Sequence, residues 1–435
     1  MSGVRRGRRA LAAALAATLV AGLGACGSPS ITTPVLALDR SKATFREVGV
    51  DETRDDIAAL VASATRIGAS LVRGGSGSGV VVSPYAVLTL LAELRAGAGG
   101  ATAAQLDGPD GADLSALHDP GRAMAALIGQ VEQWSGDPGS VSASAPPASP
   151  LFQVGRALLV PSAATVTHDY LDTLSRWYDT GVYPADFGGP RIDAELGEWA
   201  AVNSASTWTA TPLRVDTATR AALLATAYLA AAWRYPFQLS ATSSAPFTDA
   251  DGSTADVPTM HGTVLARVAR TAGFEAVQLD YGTTLGLQIV LPPRGRPLDD
   301  VATSGALTAA RLALAAAPVA AHAVALPRWR TVTWTHLPGS LAVSSLFAGD
   351  ADLPGLGTGV HISDARSGAT LTVGEKGTAM AQPAASSAPA TPTAGVPAGP
   401  GPDPFAVDRA FVYSVVDTAT GLPLLIGTVR TPVTD

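Results

Sequence analysis

Apolar side chains between residues 51 and 71 recur as Ile57, Leu60, Val61, Ala64 and Ile67, the three-to-four spacing of a helix with one buried face. Val80 to Val82 then make a short strand. Ser83-Pro84 opens a second helix through Leu88, Leu91 and Leu94, because proline fits a first turn that needs no amide donor. Further on, Phe152 to Val160 reads as a strand, Thr165 to Trp177 as a helix and Val182 to Phe187 as another strand. Between them, Ser135 to Pro150 is mostly Gly, Ser, Ala and Pro and reads as an enlarged surface loop. The Ala-rich run from Leu307 to Val324 is interrupted by Arg311, Pro318 and His322. It predicts a surface helix followed by a strand, not a membrane span. No internal repeat and no second domain is visible.

The N-terminus has a different pattern. Arg5, Arg6, Arg8 and Arg9 precede an apolar stretch, Leu11 to Gly22, that is too short to span a bilayer. Leu23-Gly24-Ala25-Cys26 follows, and it resembles the lipobox of bacterial lipoproteins, in which the cysteine receives the lipid. The expected layout is a signal peptide over 1–25, a lipid anchor at Cys26 with a polar tether over 26–45, and one domain over 46–435. Such a protein would be exported and held on the outer face of the cytoplasmic membrane or released outside the cell, by general secretion or the twin-arginine route.

Cys26 is the only cysteine, so neither an internal disulfide nor a thiolate metal cluster is expected. Loss of the four arginines of the signal takes the formal charge from -7 to -11, which argues against nucleic acid as a partner. The 47% of hydrophobic residues is ample for a large core.

The most specific chemistry lies near the C-terminus. Glu375-Lys376-Gly377-Thr378-Ala379-Met380-Ala381 is followed by Gln382, Pro383 and a stretch dominated by Ala, Ser, Pro, Thr and Gly, then by Asp403-Pro404-Phe405. This resembles the hinge, reactive loop and return of the serpins. Other anchors appear in the family's order. They are Val-Val-Ser-Pro-Tyr-Ala-Val with Gly100, Thr102 and Gln105, Val202-Asn203, Trp233-Arg234-Tyr235-Pro236-Phe237, Phe247 and Val257-Pro258-Thr259-Met260. Val277 to Tyr281, Leu285 to Pro292, Leu326-Pro327-Arg328-Trp329 and Phe411 to Pro432 also look like family segments.

The resemblance implies an α+β serpin fold of three β-sheets and about nine helices with an exposed reactive loop over 375–404. It also implies a suicide-substrate inhibitor of serine endopeptidases, not an enzyme, needing no cofactor or metal and acting as a monomer. Loop residues would enter the main sheet after cleavage, Gly377 bending and Thr378 entering first.

The chain departs from the family at several points. Met380 and Gln382 are larger than the family's inward-facing residues, and Pro383 lacks a ladder donor. Counting from Glu375 puts the scissile bond after Thr391, but Pro392 follows, so cleavage is expected within Ala390-Thr391-Pro392-Thr393-Ala394. With no Arg, Lys, aromatic or Leu from Ala381 to Asp403, the target would be a protease that prefers small residues. Ser83, Pro84, Asn203 and Trp233 mark the expected sheet-opening region, although Ala86 and Ser367 stand where the family has a second Ser and a His. These departures keep open a non-inhibitory binding or structural lipoprotein.

Enzyme chemistries fare poorly. Neither Lys42 nor Lys376 has a serine three positions earlier, Arg73 to Gly79 is a turn more than a nucleophile elbow, and the six histidines are scattered without ligand spacing.

Overall fold

The computed structural model describes residues 36–434 apart from 74, 109–110, 143–144 and 379–402. The signal segment, Cys26, Ala379 to Pro383 and the candidate scissile residues Ala390 to Ala394 therefore lie outside the described residues.

In chain order, α1 (Arg54–Val72), β1 (Gly79–Val82), α2 (Pro84–Ala96), α3 (Gly100–Asp107) and α4 (Pro120–Glu132) come first. Next are β2 (Leu151–Pro161), α5 (His168–Tyr178), β3 (Tyr183–Ala185), α6 (Ile192–Val202) and β4 (Ala222–Ala232). A run of strands follows, β5 (Thr242–Thr248), β6 (Thr254–Arg270), β7 (Glu275–Tyr281) and β8 (Leu285–Leu291), then α7 (Ser304–Ala316), β9 (Val319–Pro327) and β10 (Trp329–His336). The chain continues through α8 (Ser344–Phe347), β11 (Asp364–Gly374) and β12 (Gly377–Thr378), and ends with β13 (Asp403–Ala406), β14 (Phe411–Asp417) and β15 (Pro423–Val429).

The predicted elements are present with small shifts at their ends. Thr165 to Thr167 is not helical, because the Thr167 N–H is taken by the Gly355 carbonyl at 3.0 Å, holding that residue extended ahead of α5. The apolar run from Leu307 resolves into α7 and β9 as expected, with Thr303 capping α7 by accepting from the Ala306 N–H.

Among the described residues the strands form two sheets. One has nine strands in the order β1-β15-β14-β8-β7-β6-β9-β13 with β5 on β6; the other has six in the order β10-β11-β12-β4-β2-β3. Two sheets appear where three were expected because β6 is continuous over 17 residues, pairing with β5 and β9 along one part and with β7 at its end. Among the described residues eight α-helices accompany them.

β4 is the central plank. Leu223, Ala225, Ala227 and Leu229 face the main core shared with α2, while Ala222 and Leu224 face Leu196, Trp199 and Ala200 of α6. Burial on both faces explains why this strand is an unbroken apolar run. α2 is fixed beneath the sheet by Ser83, whose Oγ accepts the Ala86 N–H at 3.2 Å and donates to the Leu424 carbonyl at 2.8 Å. Ser83→Ala removes the cap and leaves that carbonyl short of a partner. We expect a loss of about 2 kcal/mol of native stability, read as a lower urea midpoint with unchanged denaturant slope.

Candidate functional site: the hinge and the fork in the six-stranded sheet

β4 and β11 run parallel and pair directly from Ala222↔Asp364 to Ala227↔Ala369. Beyond Ala227 they part, and β12 enters the fork from the top. Gly377 and Thr378 pair with Ala232 and Ala231 on one side and with Gly374 and Val373 on the other, antiparallel to both strands. The turn from β11 into β12 is therefore Gly374-Glu375-Lys376-Gly377. Gly377 has φ +138°, and a Cβ there would lie 2.1 Å from the Ala231 carbonyl oxygen, so no other residue fits.

Each polar group of the turn has a defined partner. The Glu375 carboxylate accepts from Arg328 Nε at 2.7 Å, from Arg328 Nη2 and from the Thr242 hydroxyl at 2.6 Å. The backbone carbonyl of Glu375 takes the Phe237 N–H and that of Lys376 the Trp233 N–H, both at 2.9 Å. The Trp233 indole N–H donates to the Gly374 carbonyl at 2.8 Å. Its ring stacks on Tyr281 with centroids 4.3 Å apart and planes 7° from parallel. Tyr281 reaches the Thr378 hydroxyl with its own, both groups buried, and this burial raises the Tyr281 phenol well above its usual pKa. The site has no nucleophile–base pair; it holds a strand end in a slot.

Of the residues singled out from sequence, Glu375, Lys376, Gly377, Thr378 and Trp233 are brought together here. Ser83 and Pro84 lie beneath the sheet on the α2 side. Asn203 lies on the other face, at the end of α6 above Gly155 of β2, where its side-chain amide donates to the Trp199 carbonyl at 2.8 Å. Ser83 and Asn203 thus do not meet. Ser367 is on the α2 side, opposite Ala225, buried and with its hydroxyl unpaired. Arg328, Thr242, Phe237 and Tyr281 were not singled out as site residues; the family-like segments that carry Arg328, Phe237 and Tyr281 were the available signal.

Sequence comparison agrees with this geometry. The profile of the serpin family, described as serine protease inhibitor, matches residues 60–432, and the chain belongs to that family. It is 25% identical over 383 residues to the probable serpin E3 of Danio rerio, covering 82% of this chain and 87% of that protein. It is 26% identical over 400 residues to the putative serpin-Z12 of Oryza sativa subsp. japonica, covering 84% and 88%. In structure it is similar to the native state of the thermophilic serpin tengpin, with a TM-score of 0.75 at 17% identity, covering 90% of this chain and 97% of that one. The family supports a general role in serine protease inhibition, not a catalytic one.

Glu375→Ala removes the acceptor that Arg328 and Thr242 share in a part-buried setting. Discounted for partial exposure, the loss is about 1–2 kcal/mol, measured as a lower unfolding midpoint of the uncleaved protein.

Proposed function

We propose that this protein inhibits a serine protease that prefers small residues, by presenting its loop as a substrate and inserting it after cleavage. The observation that carries the reading is β12: the strand that would grow on insertion has its first two residues already seated between β4 and β11.

The protease serine Oγ attacks the scissile carbonyl. The C–N bond breaks, the new amine leaves with a proton, and an ester joins the protease to the loop's N-terminal part. Inhibition requires insertion to outrun attack of water on that ester.

The register of β12 extends into the fork. Ala379 would fall between Ala230 and Thr372, Met380 between Leu229 and Leu371, and Ala381 between Tyr228 and Thr370. From Gln382 on, β4 and β11 must separate. Gln382 would then lie between Ala227 and Ala369, and Pro383 between Thr226 and Gly368. Met380 would meet leucines on the core face, and the long Gln382 would meet alanines. The length of Gln382 is thus offset by small neighbours, whereas Met380 would add bulk beside two leucines. Pro383 has no such compensation for its missing N–H.

The scissile region is Ala390 to Ala394, with Thr391-Pro392 disfavoured by its proline. Cys26 would tether the protein, as a monomer, to the outside of the cytoplasmic membrane. Pro383 also favours a second reading, a serpin-fold binding protein that never inserts its loop.

The thermal midpoint before and after loop cleavage by an elastase-like protease separates the two. A large rise on cleavage is expected, and an unchanged midpoint would leave the binding role. Pro383→Ala should enlarge the stability of the cleaved form by about 3 kcal/mol and lower the number of inhibitor molecules consumed per protease blocked.

A further inference from the structure

A buried ion pair unrelated to the hinge lies below the seam. Glu93 of α2 and Arg156 of β2 are in contact, Oε1 to Nη1 3.3 Å, and neither of these two atoms has a hydrogen-bond partner. Arg156 pairs in register with Ala225, and Ala225 with Ser367, so the arginine stands one strand away from the closed seam, two residues before the fork opens.

Accepting a strand widens the distance between β4 and β11 by one strand spacing, about 5 Å. β10 is held to the other sheet through β1, where the Val81 N–H donates to Thr333 Oγ1 at 3.1 Å. β4 is bridged to that sheet at its upper end, where Trp233 pairs with Tyr281, so the lower part of β4, with β2 and β3, takes up the displacement and slides over α2 and α5. Those helices are tied to each other: the Tyr170 hydroxyl donates to the Glu93 carbonyl at 2.9 Å and the Tyr178 hydroxyl to the Ala92 carbonyl at 3.0 Å. The Glu93–Arg156 contact crosses the sliding boundary, and separating it strands two buried charges.

We propose that Glu93 and Arg156 are positioning residues that hold the sheet closed, and that a proton on Glu93 releases them. This rests on the insertion reading above. Burial pushes the Glu93 carboxyl up to about 7, against the opposing pull of Arg156. The other titratable groups around the pair are Tyr85 of α2, Tyr170 and Tyr178 of α5, Tyr183 of β3 and Glu132 of α4. Burial raises all four phenols, which stay neutral. Glu132 reinforces the charged state of Arg156.

The sign follows from proton binding. With Arg156 withdrawn, Glu93 holds its proton more tightly than in the closed sheet, so opening takes up a proton wherever the closed form is ionised. The opening rate is then constant below about pH 7 and falls as pH rises above it.

The test is uptake of a synthetic peptide with the sequence of residues 378–391 by the intact protein, followed by the gain in thermal midpoint, which avoids the pH dependence of any protease. We expect uptake to slow by about tenfold between pH 6 and pH 9, a tenfold change standing for each unit by which opening raises the Glu93 pKa. Glu93→Gln should stay at the acid rate throughout, and Arg156→Lys should retain the decline. A wild-type rate that is flat with pH, or a Glu93→Gln variant that keeps the wild-type profile, overturns the proposal while leaving the trap intact. No uptake at any pH, with no rise in midpoint on cleavage, overturns the insertion reading and this proposal with it. If Glu93→Gln does not fold, the wild-type profile and Arg156→Lys still decide.

Discussion

Parallel pairing of Ala222–Ala227 with Asp364–Ala369 closes the six-stranded sheet, and every other feature of the site is arranged around that seam. A parallel ladder is slightly weaker per residue than an antiparallel one. A strand that enters antiparallel to both neighbours exchanges one parallel contact for two antiparallel ones. At the fork end of the seam the side chains Ala225, Ala227, Ser367, Gly368 and Ala369 are small, so little cross-strand packing adds to the ladder there, whereas Leu223, Leu224 and Arg366 lie farther from the fork. The native sheet is therefore joined mainly by backbone bonds at the place where the proposed function asks it to part.

What holds the sheet closed is found at its two ends and beneath it. At the top, Arg328, Trp233 and Tyr281 grip the turn and seat Gly377 and Thr378 in the fork. Below, the Ser367 hydroxyl is buried without a partner, and α2 contributes Ser83 to β15 and not to the seam. Direct polar bonding of the seam to the layer beneath is thus weak at Ser367, and charge appears one strand away, at Arg156 over Glu93. A buried pair of this kind adds little net stability because desolvation offsets attraction, but breaking it is costly. That asymmetry suits a brake better than a brace.

Much of the fold was legible because its signals are local. Ser83-Pro84 specifies a helix start, the apolar run Phe152 to Val160 specifies a strand, and Gly377 in the Glu-Lys-Gly-Thr run specifies a backbone turn. The hinge cradle was less legible because it is assembled from residues far apart in sequence: Glu375 meets Arg328 across 47 positions and Thr242 across 133. Asn203 was grouped with Ser83 because the family resemblance placed both beneath the main sheet. Sequence does not say which face of the sheet each helix covers, and they cover opposite ones. Glu93 among leucines on α2 and Arg156 within the apolar strand Phe152 to Val160 were visible as charges in apolar company, but their pairing required the crossing of α2 under β2.

The departures in the loop divide by the physical quantity they disturb. Met380 and Gln382 change volume, and volume can be absorbed where the facing residues are small, as Ala227 and Ala369 beside Gln382 would be, but less well beside Leu229 and Leu371, which Met380 would meet. Pro383 changes the number of donors, which no neighbour can restore. Its equilibrium effect is the loss of about one ladder bond with some steric strain, a few kcal/mol against the gain of a whole central strand. Its position matters more than that total. In the β12 register the seam first has to open at Gln382, and Pro383 is the next residue, so the lost bond falls where the advancing strand has gained least. The proline would therefore act chiefly on how fast insertion starts, and in a trap that races hydrolysis of an ester, the early steps of insertion would decide between inhibitor and substrate.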